Sequence, residues 1–305
     1  MSNSSVPGKS KFGVECLESN NGNNEVATTL AAIEKSLDTL NLSFNIDALD
    51  VLQNDYATPA DIEALKDCLG PTVLVRLYGL ANSAYYGRAS SGHITKFKDV
   101  INRLGTNLTR SCAIFASFLE MSYGEDMGLV MARSYATSKS VEAITPHLIV
   151  PTSKSNLAKL GGLFMEIGKL IILLYAYREN VKIKDEFCRK YHARIGVLVI
   201  DKFGLPPELK DIIQHSCFTF EGRESFAPSA ISDMAYRIVD ESFRKHGKLI
   251  VQSVMPDPEG ILYQTTVGSD ILTQFISMGL GEYAQVIPTK FTEVEQRLLN
   301  KGATG

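Results

Sequence analysis

Apolar side chains recur at spacings of three and four along most of this chain, and that period restricts it to a stack of amphipathic and buried helices. Leu30, Ile33, Leu37 and Leu40 fall on one face. Ile62, Leu65 and Leu69 repeat the pattern, opened by Thr58-Pro59-Ala60-Asp61. There Thr58 can cap, Pro59 suits the first helical position, and the acids Asp61 and Glu63 suit the positive end of the dipole. Gly70-Pro71 ends that helix and starts another through Leu74, Leu77, Tyr78 and Ala81. Ile94, Phe97, Ile101 and Leu104 stop at Gly105, and Leu108, Cys112, Phe115 and Leu119 follow. Beyond Tyr123-Gly124-Glu125-Asp126, read as a hinge, Val130, Ser134, Tyr135, Ser138, Val141 and Ile144 share a stripe. Leu157, Leu160, Phe164, Ile167, Ile171 and Leu174 predict one long, nearly all-apolar helix at the centre. Ile195, Leu198 and Val199 predict a helix closed by Gly204, and Ile231, Met234, Ala235, Ile238 and Val239 another. Residues 246–262 read as irregular, with helices near 269–280 and 289–300.

Strand signals are few, so the fold class is all-α in two helical parts, residues 26–125 and 126–300. Residues 1–25 are rich in Ser, Asn and Gly and read as a flexible tail, because they bury too little to offset the entropy of ordering. The charge, 31 basic against 34 acidic residues, gives no general electrostatic reason to bind nucleic acid or an anionic membrane. The longest apolar run, Leu170 to Tyr177, is far short of the about 20 residues that span a bilayer. The start, MSNSSVPGKS, has no apolar signal region. Five scattered cysteines without a close pair fit reduced thiols in a cytoplasmic setting and leave a zinc site without its usual ligand spacing.

Two segments narrow the reading. Gly79-Leu80-Ala81-Asn82-Ser83-Ala84-Tyr85-Tyr86-Gly87 is a helix end whose small residues permit close contact, followed by Ile94, Phe97 and Arg103-Leu104-Gly105. Asn82 can bond exposed backbone groups, and Gly87 permits a left-handed turn. The second is Gly162-Leu163-Phe164-Met165-Glu166-Ile167-Gly168-Lys169-Leu170. Together they resemble the HDOD family, the HD-related output domain of bacterial signal transduction, over about residues 28–245. The block His192 to Pro206, HARIGVLVIDKFGLP, looks like the family's H-x-x-x-G…LP segment. Gly70-Pro71 stands where the family usually has Asp-Pro. The resemblance implies an HDOD-like two-part helical bundle, its C-terminal half related to HD phosphohydrolases, with a regulatory role through protein contacts. On it, Asn82, Ser83, Tyr85, Tyr86 and Gly87 are signature residues and candidates for interaction.

HD enzymes hold divalent metals with a His, a His-Asp pair and a distal Asp. By resemblance these positions carry Arg133, Met165-Glu166, and a residue near Tyr236, with Asp233 close by. Arginine has no lone pair to give and repels a cation. Methionine is a soft ligand, ill suited to magnesium or manganese. One carboxylate does not activate a water for attack on phosphorus. The chain is therefore expected to be no enzyme, to hold no metal and to need no cofactor. An ion pair between Arg133 and Glu166 is expected where a metal once sat, since a lone carboxylate in an apolar helix is costly. Other nucleophile, phosphate-loop and zincin motifs do not occur.

The remnant pocket is expected to comprise Arg133, Met165, Glu166, His192, His215 and Tyr236. The bland reading of the two histidines is imidazoles bonded to backbone carbonyls. The basic residues Arg76, Arg88, Lys96, Lys98, Arg103 and Arg110 read as a solvated face, since acids intersperse them. The leading function is a non-catalytic output or adaptor module that binds signalling proteins not identified by sequence. The alternative is a diverged metal-dependent phosphohydrolase or nucleotide-binding sensor that uses the remnant pocket.

Overall fold

The computed structural model describes residues 22–54, 56–82, 93–215, 227–255 and 267–290. Within them α1 (Gly22–Asp38), α2 (Pro59–Ala81), α3 (Phe97–Leu104), α4 (Thr106–Glu120) and α5 (Glu125–Ile144) come first. After these run α6 (Thr152–Phe164), α7 (Ile167–Arg178), α8 (Asp185–Lys202), α9 (Leu209–His215) and α10 (Pro228–His246). The described chain closes with β1 (Leu249–Met255), α11 (Val267–Ser277) and β2 (Ala284–Lys290). Helix α1 begins four residues inside the segment read as a tail; residues 1–21 lie outside the described residues. No helix among the described residues is long and apolar enough to cross a membrane.

Local chemistry explains the helix ends. Thr58 Oγ1 accepts from the Asp61 N–H at 3.3 Å, and Asp61 Oδ2 accepts from the Thr58 N–H at 2.8 Å. This reciprocal capping box satisfies two donors at the start of α2. Gly70 has φ 73° and ψ 157° inside α2, a conformation that favours glycine, and it kinks the helix where Gly70-Pro71 predicts a break. Asn82 ends α2 and closes the following loop. Its Oδ1 accepts from the Ile94 N–H at 2.7 Å and its Nδ2 donates to the Ile94 carbonyl at 3.1 Å.

One apolar cluster extends from Leu30 to Ala284, so the parts on either side of Gly124 share a core. Its most enclosed element is α4, in which every residue from Thr109 to Phe118 is buried. Helix periodicity does not show this, because Thr109, Arg110, Ser111 and Ser117 are polar. Partners make the burial of Thr109, Arg110 and Ser117 tolerable, whereas the Ser111 hydroxyl has none among the described residues. Arg110 pairs with Asp50 at 3.0 Å, and Ser117 Oγ accepts from the Ser43 N–H at 2.8 Å. Phe115 meets Phe164 edge-on at 6.2 Å and ties α4 to α6.

Two expectations change. The single central helix over 157–174 is two helices, parted at Met165-Glu166, where Glu166 leaves helical geometry (φ −101°, ψ 12°). The region 246–262 is not wholly irregular, since Leu249–Met255 form β1, parallel to β2. A short apolar run such as Leu249-Ile250-Val251 has no distinguishing period, so it cannot be assigned from sequence alone. The helix near 289–300 starts on residues that belong to β2, and 291–300 lie outside the described residues.

Candidate functional site

Three elements bring together the positions expected to be a degenerate metal site. Arg133 lies on α5, Met165 and Glu166 occupy the break between α6 and α7, and Tyr236 lies on α10. Helix α5 packs on α6, α7 and α10. Small residues permit the approach. A side chain at Gly162 would meet the Ser138 backbone nitrogen of α5 at 2.8 Å, and Ser232 of α10 donates to the Ala158 carbonyl of α6 at 2.8 Å. On the far side of the break, a side chain at Gly168 would meet the His192 carbonyl oxygen of α8.

The Arg133 guanidinium occupies the middle of this junction. Its Nη2 donates to the Tyr236 hydroxyl oxygen at 2.7 Å and to Asp240 Oδ1 at 2.6 Å. The Tyr236 hydroxyl in turn donates to Glu166 Oε1 at 2.9 Å. Arg133 Nε lies 3.2 Å from Glu166 Oε2, but neither atom makes a hydrogen bond. This second contact is therefore charge attraction without an aligned N–H. The result is a closed ring of Arg133, Tyr236 and Glu166, with Asp240 on its outer side. Glu166 is 5% exposed, so the cation compensates a carboxylate that would otherwise be costly to bury.

Electrostatics follow from this packing. Burial works against the Arg133 charge, but Glu166, Tyr236 and Asp240 together outweigh it and hold its pKa above the ordinary arginine value. Burial, followed by the Glu166 carboxylate, pushes the Tyr236 phenol well up, so it stays protonated and donates. Asp233, the alternative for the distal position, turns instead to Arg237 on its own helix at 3.1 Å.

The remaining expected residues do not all join the ring. Met165 is buried in the apolar core. Half-buried His192 bonds through Nδ1 to the Cys188 and Arg189 carbonyls of its own helix, at 3.1 and 3.0 Å. His215 closes α9, and its side chain is outside what is described. Asn82 holds the Ile94 backbone, whereas Ser83, Tyr85, Tyr86 and Gly87 lie outside the described residues. The basic face is only partly solvated. Lys96 and Lys98 are exposed, but Arg76 bonds to the Ala116 carbonyl at 2.6 Å and Arg103 to the Ala81 carbonyl at 3.2 Å, while Arg110 is buried. Arg88 lies outside the described residues. The last turns of α2 and α4 offer these carbonyls, because helix C-termini lack intrahelical donors, and long arginine stems reach them.

Sequence reasoning missed Asp240 altogether. A weak signal existed, because Asp240 falls four residues after Tyr236 and seven after Asp233, on one face of α10. It also missed the buried Lys139–Glu142 pair of α5, at 2.9 Å and spaced i,i+3.

A family model for the HDOD domain matches residues 69–217. The chain carries an HDOD domain. Arg133, Met165, Glu166 and His192 lie inside the HDOD domain, whereas Tyr236 and Asp240 come from α10 beyond it. A candidate metal-dependent phosphohydrolase of Shewanella amazonensis SB2B has the same fold, with a TM-score of 0.53 at 15% identity over 86% of this chain and 91% of that one. An HDOD domain protein of unknown function from Geobacter sulfurreducens aligns with a TM-score of 0.44 at 17% identity over 84% of this chain and 89% of that one. A candidate signal transduction protein of Marinobacter aquaeolei VT8 aligns at 0.46 and 15% identity over 86% and 64%. No curated protein matches the sequence.

The metal implied by this fold does not fit the residues present. Among the described residues no three of His, Cys, Asp and Glu gather where they could hold an ion. At the positions expected to be ligands, Glu166 faces a phenol and a guanidinium, and the guanidinium would repel a divalent ion.

Proposed function

We propose that this HDOD protein is a non-catalytic output or adaptor module that acts by contact with other signalling proteins, a phosphohydrolase shell without its chemistry. One observation carries this reading. The Arg133 guanidinium takes the centre of the junction of α5, the α6–α7 break and α10, and bonds there to Tyr236 and Asp240 and pairs with Glu166. That arrangement spends the one carboxylate among the expected ligands on holding helices together. It leaves no pair of lone-pair donors free to lower the pKa of a metal-bound water.

Two measurements test it. Elemental analysis of the purified chain, with phosphoester turnover assayed in magnesium and manganese, should give no stoichiometric metal and no turnover above buffer. Crosslinked affinity capture from the native cell, identified by mass spectrometry, should return a reproducible signalling protein. Stoichiometric metal with turnover that Glu166→Gln abolishes would sink the proposal, and so would failure to recover a partner across several growth conditions.

A further inference from the structure

A second feature is lined by none of the Arg133 ring residues. A cleft of about 550 Å³ opens where α2, the α4–α5 turn and the segment after α11 meet. Its lining includes Arg76, Ser122, Glu125, Gly128, Glu282 and Tyr283. The last two lie beyond residues 69–217, which match the HDOD model.

Its charges are arranged in an unusual way. Arg76 donates to the Ala116 carbonyl and makes no ion pair among the described residues, although burial holds its pKa below the ordinary arginine value against the pull of the Glu120 carboxylate. A guanidinium has five donors, so the Ala116 bond does not use them all. Glu125 and Glu282 also line the cleft, and neither makes an ion pair among the described residues. Both act on the Tyr283 hydroxyl, whose pKa burial and then these two acids push up. One cation and two carboxylates thus share the cleft, with Glu282 already accepting from the Tyr283 hydroxyl. Gly128 lets the Tyr283 ring lie along α5, since a side chain there would come within 2.8 Å of the Tyr283 hydroxyl. The acids of the first turn of α5, Glu125 and Asp126, already complement that helix end, which leaves Arg76 as the cation on the cleft lining.

We propose that this cleft binds a nucleoside phosphate, with phosphate on Arg76, ribose hydroxyls donating to Glu125 or Glu282, and the base against Tyr283. Each contact follows ordinary recognition chemistry. Guanidinium forks take phosphate oxygens, carboxylates accept from ribose hydroxyls, and aromatic rings stack on bases. The volume falls within the usual range of small-molecule sites, about 300–1,000 Å³.

The site is independent of the adaptor reading, which stands or falls on metal, turnover and partner capture. Isothermal titration of the full chain with AMP, GMP, adenosine, guanosine and inorganic phosphate tests it. AMP or GMP should bind with a dissociation constant below about 1 mM. The matching nucleoside and inorganic phosphate should each bind at least about tenfold more weakly, since each lacks one of the anchors. Arg76→Gln and Tyr283→Leu should each weaken nucleotide binding by about tenfold or more, whereas Arg194→Gln, on the α8 surface, should leave it unchanged. Two variants are used so that a folding failure in one still leaves a result. The proposal is overturned if neither nucleotide binds, if inorganic phosphate binds as tightly as the nucleotide, or if both folded variants bind like the parent.

Discussion

Replacing Arg133 with methionine keeps an unbranched apolar stem and removes the charged head. Glu166, with its side chain 7% exposed, then loses its cation, and Asp240, 43% exposed, loses a 2.6 Å hydrogen bond. Asp240 can turn to water, so most of the cost lies with Glu166. Removing one partner of a buried pair costs about 3–5 kcal/mol. The remaining Tyr236 bond to Glu166 Oε1 and partial access to water place the expected value at the low end, about 3 kcal/mol. In a chain of 305 residues that lowers the melting temperature by roughly 5 °C. Arg133 itself adds no pH slope near neutrality, because its raised value means its contribution is lost only above the ordinary arginine range. Scanning calorimetry with Arg133→Met, Glu166→Gln and the double variant measures the loss and the coupling. The double variant should lose less than the sum of the singles. An unchanged melting temperature for Arg133→Met, or strict additivity, would refute the compensation argument.

Other expectations follow from packing. Gly168→Ala places a methyl group against the His192 carbonyl, a backbone atom that cannot step aside. It should cost about 3 kcal/mol or more and abolish soluble folded protein or sharply lower its melting temperature. Asn82→Ala strands the N–H and carbonyl of buried Ile94 and should cost about 2 kcal/mol, with faster hydrogen exchange at the Ile94 amide. Burial pushes the Cys112 thiol up to about 12, so the folded state holds a proton that the unfolded chain gives up near 9.0. Its contribution is complete below that lower value and is lost upward through the higher one, at about 1.4 kcal/mol per pH unit. Denaturant titrations should show this alkaline slope shrink in Cys112→Ala.

How far the site was legible depends on what kind of fact each residue needed. The capping box at Thr58 and Asp61, the break at Gly70-Pro71 and the stop at Gly105 are short-range chemistry, and they appear in the structure as the sequence pattern predicts. The pairing of Arg133 with Glu166 was also readable, because a buried carboxylate demands a cation and Arg133 stood at the neighbouring position of the resemblance. Asp240 was not, because the contact spans 107 residues and an exposed acid on α10 looks like any solvated one. The burial of Arg110 on α4 was missed for the same reason. A polar residue inside a helix pattern reads as surface until its acceptor, here Asp50, is known to lie opposite.

By itself the sequence determined the helical class and most helix limits. Period and caps act within a few residues, and the inability of Arg133 or Met165 to hold a hard divalent ion belongs to the side chains wherever they sit. The tertiary structure alone decided that the apolar stretch 157–174 divides at Met165-Glu166, that α4 is enclosed on all sides, that Asp240 completes the Arg133 ring, and that Arg76 shares a cleft with Tyr283. Those outcomes are distances between segments far apart in the chain, and they exist only once the helices have packed.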